Sequence, residues 1–155
     1  MTRARTRGSL AERQAPALEI PPRISRDMIR FPHGLPGFER CRGFVLMASE
    51  ALGPLQCLKA VEGPEASFLV VDPRRLLADY RCQLTDADRI RLGAADGDPL
   101  LWLALITIEL DGTITANLRA PIVINPSTML GHQVVPHACV YPLRHVVVGG
   151  TAAGE

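Results

Sequence analysis

Two histidines and a cysteine near the end of the chain are the residues best suited to bind a metal or to act in catalysis. His132, His137 and Cys139 form the pattern H-x4-H-x-C. Zinc sites favour tighter paired spacings, and two histidines five positions apart on one strand would point to opposite faces. Pro136 also interrupts the segment. We therefore expect no metal site, and a metal-dependent or thiol hydrolase is kept only as an alternative.

The usual short motifs of catalysis are missing from the sequence. It contains no nucleophile elbow, no phosphate-binding loop and no dinucleotide fingerprint. The start of a helix accounts for Asp86 and Asp88, and Asp96 and Asp98 show no sign of a shared cleft. The sequence therefore predicts no catalytic residue and no cofactor.

Charge is distributed unevenly along the 155 residues, which carry a formal net charge of +1. Residues 1–30 contain seven Arg against Glu12, Glu19 and Asp27, which leaves ten basic and thirteen acidic residues in the remainder. A mildly acidic body argues against direct nucleic-acid binding, which needs a clustered basic face. It is compatible with a basic protein partner.

Length and composition predict one domain in the cytoplasm. Residues 1–23 lack periodicity and are expected to form a flexible, Arg-rich tail before a single domain at 24–150. No signal peptide is visible, and the apolar run 100–108 is too short to cross a membrane. The four cysteines form no C-x-x-C pair, so we expect reduced thiols in the core. We also expect the protein to be a monomer.

The pattern of apolar runs predicts an all-β fold. Proline and glycine punctuate short apolar runs at 44–47, 55–61, 68–71, 100–110, 114–124, 134–135 and 146–148. One short helix is predicted near 85–93, because Thr85 with Asp88 forms an N-terminal capping pattern and Gly93 ends the segment. Many short strands and one helix indicate a small antiparallel β-barrel or a sandwich.

The two longest runs form a hairpin with two distinct faces. A three-residue loop, Leu110-Asp111-Gly112, pairs even positions with even ones and places Gly112 in a left-handed conformation. The expected core pairs are Ile108–Ile114, Ile106–Ala116, Ala104–Leu118 and Trp102–Ala120. The opposite, outer face carries Leu103, Leu105, Asn117 and Arg119, and Pro121 marks an interruption of the ladder. This face is either solvated or a contact surface.

Several motifs, taken in order, resemble those of the flagellar assembly factor FliW family. The resemblance covers roughly residues 25–148. The motifs are FPHGLPGFE at 31–39, FLVVDP at 68–73, Asp79-Tyr80, ITANLRAPIVIN at 114–125, G-x-Q at 131–133 and Y-x-x-R at 141–144.

The resemblance implies a compact β-barrel-like protein that is not an enzyme. Members of this family bind newly made flagellin in the cytosol, and many bind the RNA-binding regulator CsrA and so relieve its repression of flagellin synthesis. Accumulated flagellin would take up the factor and release the regulator, which is a partner switch. The exposed positions of the motifs are the candidate partner-binding residues, namely Phe38, Asp79, Tyr80, Asn117 and Arg119.

Two parts of the chain depart from the expected family pattern. The Arg-rich tail is additional, and Pro136 with His137 interrupts the final apolar segment, which leaves the pairing of the last strand open. The alternative function is an oligonucleotide-binding β-barrel that uses the tail as an electrostatic clamp. It would need exposed aromatic residues, and the only tryptophan, Trp102, is assigned to the core.

Overall fold

The computed structural model describes residues 27–136 and 139–148. Within these ranges the chain forms eight strands and one α-helix. They are β1 (Ile29–Arg30), β2 (Gly43–Ala48), β3 (Gln56–Glu62), β4 (Ser67–Val71), α1 (Asp86–Leu92), β5 (Leu101–Ile108), β6 (Ile114–Asn125), β7 (Leu130–Gln133) and β8 (His145–Val148). Two single turns of 3-10 helix occupy Glu50–Leu52 and Pro73–Arg75. The predicted tail and His137 lie outside the described residues.

The first seven strands close into a barrel. Their order is β5-β4-β3-β2-β1-β7-β6, and β6 also pairs with β5, which joins the two ends of the sheet. All these pairings are antiparallel except that between β1 and β7. The twelve-residue β6 is long enough to pair with β7 at one end and with β8 at the other. The predicted β-barrel with one short helix is confirmed.

The barrel interior is apolar and receives side chains from strands all around the barrel. Phe31 and Phe44 meet edge to face, with ring centroids 4.9 Å apart. The buried residues of this interior cluster are Ile29, Phe31, Leu35, Cys41, Phe44, Leu58, Ala60, Val70, Leu103, Ile122 and Ile124. A second group, here called the outer cluster, lies on the other face of the sheet and comprises Val71, Tyr80, Ala104, Ala116 and Leu118.

Helix α1 covers part of the outer face of the sheet. Thr85 and Asp88 each accept a hydrogen bond from the other's backbone N–H, which completes the predicted capping box. Gly93 ends the helix in a left-handed conformation. Leu92 is buried against Val123 of β6 and Val134. The helix therefore lies where its sequence signals place it and packs on the sheet through its last turn.

Most of the predicted strands are observed, with one error and two omissions, β1 and β7. The segment 134–135 is not a strand, because pairing with β6 ends at Gln133 and the Val134 N–H donates instead to the Pro121 carbonyl, 2.9 Å away. The two-residue strand β1 was not predicted, since so short a pairing leaves no periodic pattern. The last strand, β8, does pair with β6.

The β5–β6 hairpin has the predicted geometry at its tip. Gly112 adopts the expected positive φ, 89°. Ile108 faces Ile114 and Ile106 faces Ala116, as the three-residue loop requires. The predicted register, in which even-numbered residues of β5 face even-numbered residues of β6, is therefore confirmed for this half of the hairpin.

Beyond the tip, β6 contains three more residues than the strand it pairs with. Leu105 faces Asn117, whereas Leu103 faces Ile122, so two steps along β5 match five steps along β6. Trp102 faces Val123, so the predicted pair Trp102–Ala120 is wrong. Ala104 lies at the register shift and has no assigned partner on β6, but it shares the outer cluster with Leu118. The proline that signalled an interruption, Pro121, lies within the extra residues.

The extra residues exchange the two faces of β6. Leu118 belongs to the outer cluster, but Ile122, also an even position, belongs to the barrel interior. Leu103 was assigned to the outer face and is instead fully buried inside the barrel. The alternation of apolar and polar residues could not show which face of β5 lies in the barrel interior and which in the outer cluster, because both faces of β5 are apolar.

We expect Gly131→Ala to lower the free energy of unfolding by about 1–3 kcal/mol. A Cβ at Gly131 of β7 would overlap the ring of Phe31, which is fully buried. Urea denaturation of the wild type, of each single variant and of the double variant with Phe31→Leu would measure the effect. The smaller side chain that Phe31→Leu introduces should make the alanine less costly, and an equal cost in both backgrounds would contradict the clash.

We also expect the domain to lose stability as the pH falls through the titration range of His132. Its Nε2 lies 3.5 Å from Asp88 Oδ1 and 3.4 Å from Arg91 Nη1. Burial, followed by the charges of Arg91 and His33, lowers its pKa below the usual 6.5 and outweighs the opposing effect of Asp88. Because the unfolded chain then binds a proton more readily than the folded chain, acid favours unfolding.

The test is thermal melting of the wild type and of His132→Gln from about pH 7.5 to about pH 5.5. The wild type should lose more stability than the variant over this range, because a glutamine side chain does not take up a proton. Parallel pH profiles for the two proteins would contradict this role of His132.

Candidate functional site

The interruption of β6 between Asn117 and Pro121 forms the centre of the candidate site. The Asn117 Oδ1 accepts hydrogen bonds from the backbone N–H groups of Arg119 and Ala120, both at 3.0 Å. The asparagine side chain thus replaces ladder partners that the bulge removes. Asn117 is half-buried, and its amide oxygen is engaged within the chain.

Three other segments of the chain supply further hydrogen bonds to the interruption. The Tyr80 hydroxyl donates to the Leu118 carbonyl at 2.8 Å, and the Leu118 N–H donates to the Pro142 carbonyl at 3.1 Å. The Gln133 side chain donates to the Ala120 carbonyl at 2.9 Å. Together with the Val134 N–H on Pro121, these bonds satisfy backbone groups that would otherwise be unpaired.

The two tyrosines tie the loop after β4 to the segment before β8. Tyr80 and Tyr141 stack with ring centroids 4.5 Å apart and planes tilted by 32°. The Tyr141 hydroxyl accepts from the Arg81 N–H at 3.0 Å. Burial, followed by the neighbouring Cys82, raises the pKa of Tyr80, so its hydroxyl remains protonated and can donate. These contacts hold the two segments together.

Arg119 is the exposed residue that the interruption presents to solvent. Its Nε donates to the Tyr141 carbonyl at 2.9 Å, which fixes the side chain against the segment before β8. Farther along that segment, Arg144 forms an ion pair with Glu109. We call the surface formed by Asp79, Arg81, Arg119 and Tyr141 the β6 patch.

The structure brings four of the five predicted partner-binding residues together. Asp79 is exposed beside Tyr80, and Asn117 and Arg119 lie on the adjoining β6. Tyr80, however, is only 7% exposed, so its expected position at the surface is wrong. Its hydroxyl is directed into the outer cluster because that is where the Leu118 carbonyl needs a donor.

Phe38 lies at a different place, in the turn before β2. It is 41% exposed and packs edge to face on Phe68 of β4, with ring centroids 5.0 Å apart. Its backbone pairs with Leu35 in the same turn. The role of Phe38 in binding a partner stays a prediction.

Sequence reasoning missed the contributions of Arg81, Gln133 and Tyr141. Gln133 and Tyr141 stand inside motifs that were recognised, G-x-Q and Y-x-x-R, but nothing in the sequence indicated that both reach the interruption of β6. No sequence signal marks Arg81, whose backbone N–H rather than its side chain makes the contact with Tyr141.

The alternative chemistry finds no support in the described part of the chain. No group of three or more His, Cys, Asp and Glu side chains is placed there to hold a metal. His132 contacts Asp88 and Arg91 instead. Trp102 is half-buried and packs against the cluster of Leu92. No helix in these ranges is long and apolar enough to cross a membrane.

Fold and site together define a small closed β-barrel protein whose interrupted strand presents an arginine-bearing surface. The model of the family described as FliW protein matches residues 18–147. The chain therefore belongs to the FliW family and is a flagellar assembly factor, which is not an enzyme.

Individual relatives agree with this assignment. The flagellar assembly factor FliW of Geobacter sulfurreducens is 38% identical over 119 residues, which cover 76% of this chain and 74% of that protein. That of Syntrophotalea carbinolica is 35% identical over 117 residues, covering 76% and 84%. A crystal structure of the flagellar assembly factor FliW superposes with a TM-score of 0.73 at 31% identity, covering 83% of this chain and 89% of the other.

We expect Asn117→Ala to lower the free energy of unfolding by about 1–2 kcal/mol, because two backbone N–H groups lose their acceptor. Asn117→Asp keeps an acceptor oxygen at the same place and should cost less. Urea denaturation of both variants measures the difference. Equal losses in the two variants, or no loss in Asn117→Ala, would show that the Oδ1 contacts do not stabilise the interruption.

Proposed function

We propose that this protein binds flagellin in the cytosol and, in alternation, binds the translational regulator CsrA, whose repression of flagellin synthesis it thereby relieves. Membership of the FliW family supports a flagellar partner. The observation that carries the proposal is the convergence of separate motifs on one surface. Asp79-Tyr80, ITANLRAPIVIN, G-x-Q and Y-x-x-R are far apart in the sequence, yet all contribute to the β6 patch or to the hydrogen bonds beneath it.

Such convergence favours a docking surface over a purely structural one. A hydrogen-bonded interruption could be built without exposing a cation, but here Arg119 is exposed and oriented by its bond to Tyr141. A guanidinium held in place loses less conformational entropy on binding than a mobile one. The arrangement is therefore suited to recognise a partner.

The distribution of charge supports a basic second partner. Beyond residue 30 the chain carries thirteen acidic and ten basic residues. A net negative body attracts a basic RNA-binding protein and disfavours RNA close to it. In this scheme binding of the factor to CsrA disfavours binding of RNA to CsrA. Flagellin removes the factor from CsrA to an extent set by the difference between the factor's affinities for flagellin and for CsrA.

The experiment that tests the proposal is calorimetric titration of the purified protein with flagellin and with CsrA from the same organism. Binding of both, with flagellin displacing CsrA, is the expected result. Binding of flagellin alone would leave a chaperone-like role without control of translation. If neither protein binds, the proposed function is wrong.

We expect Arg119→Glu to weaken the binding of one of the two partners by roughly tenfold or more, about 1.4 kcal/mol, with an unchanged melting temperature. The side chain is exposed, so reversing its charge should leave the fold intact. Arg40→Glu, at an exposed arginine in the turn before β2, makes the same change of charge away from β6 and serves as the control. Unchanged affinity for both partners would assign Arg119 to a solvated face.

A further inference from the structure

A groove lies beside the β6 patch, between residues 81–85 and the segment that leads to β8. Its volume is about 510 Å³, and Cys82, Leu84, Cys139, Val140 and Tyr141 line it together with Arg81. The lining mixes these apolar side chains with Gln83 and Thr85, and both cysteines are free and half-buried. Val140 is 87% exposed, so its side chain is accessible to a ligand.

The backbone along both sides of the groove has no backbone partner in the described part of the chain. Residues 82–84 neither donate nor accept a backbone–backbone hydrogen bond there, and the same is true of Cys139 and Val140. Exposure alternates along the first side, where Cys82 and Leu84 are half-buried and Gln83 is exposed. This is the alternation expected of an extended segment.

Positive charge lies in and beside the groove, because Arg81 belongs to its lining and Arg119 adjoins it at Tyr141. The Arg119 Nε donates to the Tyr141 carbonyl, whereas Arg81 contacts the Tyr141 hydroxyl through its backbone N–H. Neither guanidinium forms an ion pair with any described carboxylate. Two uncompensated cations in and beside the groove complement an acidic group on a ligand.

We propose that this groove binds an extended, acidic peptide segment of another protein. The segment pairs with the backbone of residues 82–84 as an added strand, and its alternate apolar side chains pack on Leu84 and Val140. An acidic side chain at one end contacts Arg81 and Arg119. The proposal describes the shape and charge of the bound segment and is independent of which protein supplies it.

The test uses the full chain and a blocked synthetic peptide of eight residues that alternates valine and glutamate. A second peptide has lysine in place of each glutamate. Nuclear magnetic resonance titration should show shifts of the amides of 82–84 and 139–141 with the glutamate peptide and not with the lysine peptide. Hydrogen exchange of the amides of 82–84 should become slower when the glutamate peptide is bound, because these groups acquire hydrogen-bond acceptors.

Arg81→Glu should lower the affinity for the glutamate peptide by roughly tenfold, whereas Arg40→Glu should leave that affinity unchanged. Should Arg81→Glu fold poorly, Arg119→Glu is the second variant, with the same expectation. Equal binding of the two peptides would overturn the assignment of charge, and shifts without slower exchange would overturn strand pairing. If neither peptide moves these amides at millimolar concentration, the groove is not a peptide site. The titrations with flagellin and CsrA do not enter this test, so either proposal can fail alone.

Discussion

The structure depends on hydrogen-bond partners for the backbone groups that the interruption of β6 removes from the sheet, and distant segments of the chain supply them. This strand begins on the outer cluster and ends in the barrel interior, and it changes faces by inserting three extra residues opposite β5. The insertion removes ladder partners from backbone groups that are largely buried, and unpaired buried groups cost about 1–3 kcal/mol each. The replacement hydrogen bonds come from other parts of the chain, namely from Tyr80, Gln133, Val134 and Pro142.

This dependence explains which features of the molecule could be predicted from its sequence. The helix α1 has local signals for both of its ends, and the hairpin tip has Gly112 at a positive φ with Ile106 packed against the outer cluster, so both agree with the prediction. Pro121 correctly indicated an interruption. Its size, three residues, follows from the closure of the barrel and from contacts with β7, which no local pattern encodes.

The candidate site was predictable as a set of positions but not as a set of roles. Alternation assigned Asn117 and Arg119 to one face, yet Asn117 caps the interruption while Arg119 is exposed. Tyr80 was expected at the surface as one of the exposed positions of the motifs, but its hydroxyl is buried and donates to the Leu118 carbonyl. A role of this kind depends on an acceptor 38 residues away, so no pattern within the motif could reveal it.

Two partners exclude each other directly where their binding surfaces overlap or share an element. Tyr141 is such an element, because its carbonyl orients Arg119 on the β6 patch while its ring lines the groove and its hydroxyl contacts the Arg81 N–H. A segment bound in the groove would cover Tyr141, whose carbonyl orients the arginine that a protein docked on the patch would contact. Under the two proposals, mutual exclusion then requires no large conformational change. The bond from the Leu118 N–H to the Pro142 carbonyl holds this segment on β6, so a structural requirement of β6 and the orientation of Arg119 are met by the same part of the chain.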